Sequence, residues 1–184
     1  MPETPRSVTP EPLEAWLAAR AGCVALVFTD VVDSTALLFS RRTLDYRALM
    51  RRHQGRARAL AGEHGGRLIE ARGDATFAAF PGAGGACAYA IALHGDPGAE
   101  GLAIRAGVHL GPVRSDGDAL VGRHVHLAAR VAERGEGREV WMSDDAKRAL
   151  EAEAPDVARA LTTGAHEDCS FKGVPAPCHL WRIA

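Results

Sequence analysis

The sequence predicts an α+β fold, specifically a ferredoxin-like α/β sandwich with a central, mostly antiparallel sheet flanked by helices. Three observations lead to this prediction. Apolar runs of strand length alternate with longer segments of helical character. Arg72-Gly73-Asp74 separates two short apolar runs with the turn chemistry of a β-hairpin. The 184 residues, 47% of them hydrophobic, suffice for one domain with a sizeable core.

Charge and composition exclude several classes of protein. The 22 Lys and Arg nearly balance the 23 Asp and Glu, which argues against a disordered chain or a polycationic tail. No apolar run approaches the roughly 18 residues of a membrane span, and Met1–Pro10 lacks the pattern of a secretory signal. We therefore expect a cytoplasmic protein without a membrane partner. The four cysteines show no CxxC spacing, so neither a disulfide framework nor a zinc site is expected.

The N-terminal half begins with a proline-rich leader and continues into strand and helix patterns. Residues 1–20 are predicted to be a leader with a short amphipathic helix at Leu13–Arg20, and residues 21–184 the folded domain. Cys23–Val32 is almost continuously apolar, which is typical of a strand buried on both faces. Thr43–Glu63 contains no proline and predicts a helix.

The remaining elements are shorter. Leu102–Val113 alternates apolar and other residues, which predicts a strand with one face in the core. Ser143 or Asp144 is the expected N-cap of a helix that ends at Glu153. The other predicted strands are Arg67–Glu70, Ala75–Phe80, Glu139–Met142, Ser170–Lys172 and Cys178–Ile183, and the other helices are Ala86–His94 and Gly122–Arg134.

Two carboxylates follow predicted strand ends. Asp30 ends the first long strand, and the residues up to Thr35 turn into a helix whose free N–H groups could hold phosphate. Asp74 lies on the hairpin that we expect to pair with that strand. Two adjacent carboxylates repel each other unless a cation lies between them, and Mg²⁺ with triphosphate oxygens is a common solution. The alternatives are that Asp30 is an N-cap and Asp74 only shapes its turn.

A third motif lies on the predicted helix Gly122–Arg134. His126 and Arg130 are four residues apart and share one helix face. Alone, such a pair is more typical of a solvated stripe, and two histidines without a third partner are poor evidence for zinc.

In this order, the motifs resemble the catalytic domain of class III nucleotidyl cyclases, the adenylate/guanylate cyclase family. The resemblance runs from about Cys23 to Ile183 and is strongest in five stretches: Val27–Leu37, His64–Phe80, Ile104–Val113, Val121–Arg130 and Phe171–Val174. It implies that residues 21–184 convert a nucleoside triphosphate, ATP or GTP, to the 3′,5′-cyclic nucleotide and pyrophosphate for second-messenger signalling.

The resemblance also assigns roles to residues. Asp30 and Asp74 match the aspartates that hold two Mg²⁺ or Mn²⁺ ions, with Val31 in the same metal set. Arg130 matches the arginine that stabilises transition-state charge on the α-phosphate. The substrate-phosphate set is Val32, Asp33, Ser34, Thr35, Arg105 and Lys172. Because the chain carries both halves of the family's head-to-tail site, the resemblance implies a homodimer.

The chain departs from the family at three positions, His126, Asp33 and Ala119. His126 replaces the usual ribose-orienting asparagine, and Asp33 stands where glycine is more common. At the base-selecting positions, Glu70 could accept from the N1–H and amino group of guanine, whereas the Ala119 side chain makes no hydrogen bond. The pair leaves cyclic pyrimidine synthesis from CTP or UTP open.

Two other functions compete with an active cyclase. His126 and Ala119 would fit a catalytically quiet nucleotide-binding or dimerisation module. In Arg41–Arg72, nine arginines outnumber three acidic residues, which could indicate a nucleic-acid surface. Since Tyr46 is the one aromatic residue in that stretch, attraction of a nucleotide explains the charge more simply, and we expect no nucleic-acid partner.

Overall fold

The computed structural model describes residues 11–40, 43–99, 101–161 and 164–184, so the predicted leader up to Pro10 lies outside the described residues. The helices are α1 (Leu13–Ala18), α2 (Ser34–Ser40), α3 (Thr43–Glu63), α4 (Ala83–Gly95), α5 (Arg123–Arg134), α6 (Asp144–Glu153) and α7 (Pro155–Leu161). The strands are β1 (Cys23–Val31), β2 (Arg67–Arg72), β3 (Ala75–Phe80), β4 (Ile104–Pro112), β5 (Arg114–Asp116), β6 (Ala119–Val121), β7 (Val140–Ser143), β8 (His166–Cys169) and β9 (Cys178–Arg182). In the part of the chain described, no helix is both long and apolar enough to cross a bilayer.

Seven strands form one sheet in the order β2-β3-β1-β4-β7-β9-β8. Neighbouring strands are antiparallel except β4 and β7, which run parallel. The short strands β5 and β6 form a separate hairpin. The predicted α+β sandwich with a mostly antiparallel sheet is confirmed.

Helices cover both faces of the sheet, and β1 shows why. Ala25 and Val27 face a core that includes buried residues of α3, α4 and α6. Val24 and Leu26 point the other way, into a second core with α1 and α5. The strand is therefore buried on both faces, as its apolar run predicts. Leu13, Trp16 and Leu17 bury α1 in the second core, so this short helix packs on the sheet.

The expectation for β4 is half right. Its apolar face lies in the first core, but Gly107 and His109 on its other face are buried as well. A β-carbon on Gly107 would lie 2.1 Å from the backbone nitrogen of Ala132, so the missing side chain lets α5 approach the strand closely. Alternation in one strand cannot reveal a helix that arrives later in the chain.

Other boundaries also differ from the predictions. Helix α4 begins at Ala83, three residues early, because the Glu153 carboxylate accepts hydrogen bonds from the N–H groups of Ala83 and Gly84. The predicted strand Ser170–Lys172 is wrong, since β8 ends at Cys169 and Lys172 lies in a turn. The predicted elements do not include three short ones, β5, β6 and α7, whereas the helix expected after Asp30 is present as α2. The Ser143 N-cap is confirmed, with its Oγ accepting from the N–H of Ala146.

Candidate active site

The ends of β1 and β3 bring two carboxylates to one corner of the sheet. Thr29 is paired with Thr76 across the two strands, and their hydroxyl oxygens lie 2.7 Å apart. Asp30 follows Thr29, while Asp74 precedes Thr76 by two residues, in the turn where Gly73 has a φ of +62°. Since the strands are antiparallel, both aspartates lie at the same end. We call Asp30 and Asp74 the acidic corner.

Tyr46 on α3 supports this placement independently. Burial raises the pKa of its hydroxyl, and the charges of Asp74 and Asp30 raise it further. Both carboxylates therefore lie within electrostatic reach of one side chain.

Arg105 occupies part of the acidic corner. It lies opposite Asp30 in the β1–β4 register, and its Nη2 and Nε donate to Asp30 Oδ2 at 2.6 and 3.2 Å. The sequence analysis assigns Arg105 to the triphosphate, but its contact in the structure is with a metal-binding candidate. Both side chains are about one-third exposed, at 32% and 31%, so solvent weakens this ion pair and a ligand could displace it.

The residues after β1 line a cavity beside this corner. Its volume is about 730 Å³, and it contains the whole predicted stretch from Asp30 to Thr35 together with Arg105. Asp33 has a φ of +55°, a left-handed conformation that glycine adopts freely and aspartate tolerates. The observed φ shows that the backbone at this position, where the resemblance leads one to expect glycine, accommodates an aspartate.

The oxygen atoms of the acidic corner fit a divalent cation. Its carboxylates, Asp30 and Asp74, are hard donors of the kind that Mg²⁺ and Mn²⁺ prefer. Val31, the third member of the predicted metal set, lines the adjoining cavity. Within the described ranges, no three His, Cys, Asp or Glu side chains converge as a metal cluster. Two carboxylates leave coordination positions for water and phosphate oxygens, an arrangement that suits Mg²⁺. The guanidinium on Asp30 is further evidence that this corner attracts positive charge.

A second cavity gathers the other predicted catalytic groups. His126 and Arg130 on α5 and Lys172 from the β8–β9 turn line a space of about 850 Å³, which we call the cationic cavity. Arg130 is 45% exposed and donates to Glu133 three residues later. The cationic cavity shares no lining residue with the cavity from Asp30 to Thr35.

The two positions predicted to select the base meet in a third cavity. Glu70 on β2 and Ala119 on β6 line a space of about 510 Å³, the base cavity. The rings of Phe28 and Phe77 are stacked there, with centroids 4.2 Å apart and 12° between their planes.

The sequence analysis missed three acidic residues near these sites. Asp116 and Asp118 line the base cavity from the β5–β6 hairpin, which the Asp-Gly-Asp spacing could have indicated as a turn. Glu133 lines both the cationic cavity and a smaller space of about 190 Å³ that includes Asp30 and Arg105. Its spacing of three residues from Arg130 is the signal that could have found it.

Comparisons with known proteins identify the fold. No family model matches the chain, and no curated protein matches it. The guanylate cyclase domain of RhGC from Catenaria anguillulae, in complex with GTP, superimposes with a TM-score of 0.72 at 19% identity, covering 89% of this chain and 96% of that one. The adenylyl cyclase CyaB from P. aeruginosa superimposes with a TM-score of 0.74 at 18% identity, covering 88% and 93%. An adenylate cyclase from Trypanosoma brucei, in its monomeric state, gives 0.74 at 21% identity, covering 98% and 94%.

The chain thus has the fold of class III adenylyl and guanylyl cyclase catalytic domains, as the resemblance in its motifs indicates. At these identities the likeness concerns the fold alone.

Proposed function

We propose that the protein is a nucleotidyl cyclase that converts a nucleoside triphosphate to the 3′,5′-cyclic nucleotide and pyrophosphate. The observation that carries the proposal is the placement of the acidic corner and the cationic cavity on a cyclase fold. One group suits divalent metal and triphosphate, and the other suits negative charge that builds during phosphoryl transfer.

The reaction is an in-line displacement. The ribose 3′-oxygen bonds to the α-phosphorus, the bond from that phosphorus to the bridging oxygen breaks, the hydroxyl proton passes to solvent water and pyrophosphate leaves. Two Mg²⁺ or Mn²⁺ ions at Asp30, Asp74 and the Val31 carbonyl would supply acidity to the hydroxyl and charge neutralisation to the triphosphate.

The other side chains have distinct tasks. Arg130 donates N–H groups to the α-phosphate oxygens as their charge increases, so its contribution falls mainly on kcat. Lys172 and Arg105 bind the triphosphate, and Arg105 exchanges its contact with Asp30 for a phosphate oxygen. His126 donates a hydrogen bond to the ribose in place of an asparagine.

A homodimer would complete the site. We propose that the acidic corner of one protomer faces the cationic cavity of its partner, as in the head-to-tail dimer that the resemblance implies. Mixing Asp74→Ala with Arg130→Ala protein tests this arrangement. A head-to-tail heterodimer regains one intact site, so the mixture should recover up to about a quarter of wild-type activity, whereas sites within single protomers would recover none.

The base cavity favours a purine with hydrogen-bond donors on its edge. Glu70, Asp116 and Asp118 supply acceptors. Guanine presents N1–H and an amino group side by side, while adenine presents one amino group beside an acceptor. We therefore propose GTP as the substrate ahead of ATP. CTP and UTP, whose pyrimidine bases are smaller, are the alternatives.

A quiet nucleotide-binding module is the second candidate, and one observation favours it. Arg105 and Arg130 are each already paired with a carboxylate, Asp30 and Glu133 respectively. Incubation with each of the four ribonucleoside triphosphates and Mn²⁺ or Mg²⁺, from mildly acidic to mildly basic pH, separates the two. Cyclic product identified by mass spectrometry supports the cyclase, whereas binding without product supports the quiet module.

A further inference from the structure

Two histidines that the proposed chemistry does not use form a hydrogen-bonded chain beneath α5. His109 on β4 is fully buried, and its Nδ1 lies 2.7 Å from Ser143 Oγ. Its Nε2 lies 2.8 Å from Nδ1 of His124, in the first turn of α5. Arg123 Nε donates to His124 Nε2 at 3.2 Å. We call these four residues the imidazole chain.

The chemistry of its ends assigns the protons along the imidazole chain. A guanidinium can only donate, so His124 Nε2 accepts and His124 Nδ1 carries the proton. That proton is donated to His109 Nε2, so His109 carries its own proton on Nδ1 and donates it to Ser143. The Ser143 oxygen also accepts from Ala146 and caps α6. Both imidazoles are neutral in this arrangement.

Two glycines of β4 allow α5 to lie close to the strand on either side of His109. On the face of β4 that meets α5, a β-carbon on Gly111 would lie 2.2 Å from His124 Nδ1, and one on Gly107 would lie 2.1 Å from the backbone of Ala132. Glycines thus admit both ends of α5, and His109 lies between them. The hydrogen bond between His109 and His124 therefore joins β4 to α5 between these two close approaches.

We propose that the imidazole chain positions α5, and with it His126 and Arg130, only while both imidazoles are neutral. The catalytic consequence rests on the proposed cyclase function. A second proton on either ring sets N–H against N–H between the histidines, or sets a cation against Arg123. The first turn of α5 then loses its anchor on β4, two residues from His126.

The charges around the pair favour the neutral form. Burial and the neighbouring His124 lower the pKa of His109 to about 4. Burial and Arg123 lower the pKa of His124, while Asp145 at the start of α6 acts in the opposite direction. His126, Lys172 and Cys178 line the cavity that His124 borders, and Asp145 also acts on Cys23 of β1 and on Cys178 of β9.

Nitrogen-15 NMR of the full chain without nucleotide tests the imidazole chain independently of catalysis. At pH 7 both histidines should be neutral and protonated on Nδ1, and His109 should stay neutral to about pH 5. Titration of His109 near 6.5, or a proton on Nε2 of either ring, overturns the proposal. This result holds whether or not the protein cyclises a nucleotide.

Variants of His124 test its effect on α5. Asparagine can donate to His109 and accept from Arg123 but cannot be protonated, whereas alanine can do neither. By the strength of one hydrogen bond, His124→Ala should lower kcat about tenfold at pH 7 with little change in KM. His124→Asn should keep most of the wild-type kcat at pH 7. Between pH 7 and pH 5, its activity should fall less than that of the wild type. His64→Ala removes a histidine that does not belong to the imidazole chain and serves as the matched control.

Amide hydrogen exchange tests the positioning of α5 without relying on cyclase activity. His124→Ala should speed amide exchange in α5 at pH 7 and leave α3 unchanged. Arg123→Ala, at an exposed position, should do the same more weakly if the alanine variant of His124 does not fold. Unchanged α5 exchange in Arg123→Ala, or a His124→Ala enzyme with the wild-type kcat and pH profile, overturns the positioning role.

Discussion

The acidic corner and the cationic cavity are built by different means. Asp30 is held by strand register, in a sheet where β1 is paired along its whole length with β4, and Asp74 lies in the tight turn that leads into β3. Arg130 extends from an exposed helix face, where it forms an ion pair with Glu133 on the same helix, and Lys172 lies in a turn. Backbone pairing thus sets the carboxylates in place, whereas the cations keep the freedom to meet a substrate or a second protomer.

The largest expected effect comes from breaking the acidic corner. Asp74→Ala should lower cyclase activity by about a hundredfold or more, because a metal-binding carboxylate is lost. It should also weaken Mn²⁺ binding, measured by electron paramagnetic resonance or calorimetry. Asp156→Ala, in an exposed ion pair with Arg159, is the control. Full activity in Asp74→Ala would refute the metal assignment.

Substitution of Arg130 in the cationic cavity should affect kcat more than KM. Arg130→Ala should lower kcat by about a hundredfold, the usual scale for one donor to a charged transition state, with a smaller change in KM. Thermal stability should stay close to that of the wild type, since the side chain is about half exposed. An effect confined to KM would indicate a role in ground-state binding.

Acid should weaken the support of α5. The pKa of His109 is lowered from about 6.5 to about 4 in the folded protein, so its contribution to stability is complete above pH 6.5 and declines as the pH falls from 6.5 towards 4. Urea unfolding at pH 7 and pH 4.5 should show a loss on the order of 2–3 kcal/mol. His109→Gln should be less stable at pH 7 and should lack much of this pH dependence; a variant that keeps the full dependence would assign it to other groups.

Base selection should change with the charge at Glu70. Glu70→Lys replaces an acceptor with donors and should shift the ratio of kcat/KM from GTP towards ATP by about tenfold. Glu63→Lys on α3 controls for the added charge. An unchanged nucleotide profile would show that Glu70 is not a selector.

The smallest expected effect is at the ion pair between Arg105 and Asp30. Arg105→Ala should tighten Mn²⁺ binding without nucleotide up to about fivefold, because a competing cation is removed from a partly exposed carboxylate. The same change should raise KM for the triphosphate. Arg56→Ala, which removes a comparable pair with Asp96, should change neither quantity.

Local patterns in the sequence were enough for much of the fold. The length of the Thr43–Glu63 helix, the β2–β3 hairpin and the Ser143 cap each depend on neighbouring residues, and the structure agrees with them. Contacts between distant residues account for the misses. Glu153 extends α4 from 69 and 70 residues away, and α5 covers the face of β4 that was expected to be open.

The sequence by itself determined which chemical groups are available: two aspartates at predicted strand ends, an arginine and a histidine on one helix face, and a glutamate at a position predicted to select the base. Only the tertiary structure decided which of these groups lie together. Sheet register pairs Arg105 with Asp30, the β5–β6 hairpin brings Asp116 and Asp118 to Glu70, and α5 joins His124 to His109. The physical reason is that the identity of a side chain is local, whereas its hydrogen-bond partner is chosen by packing between segments far apart in the chain.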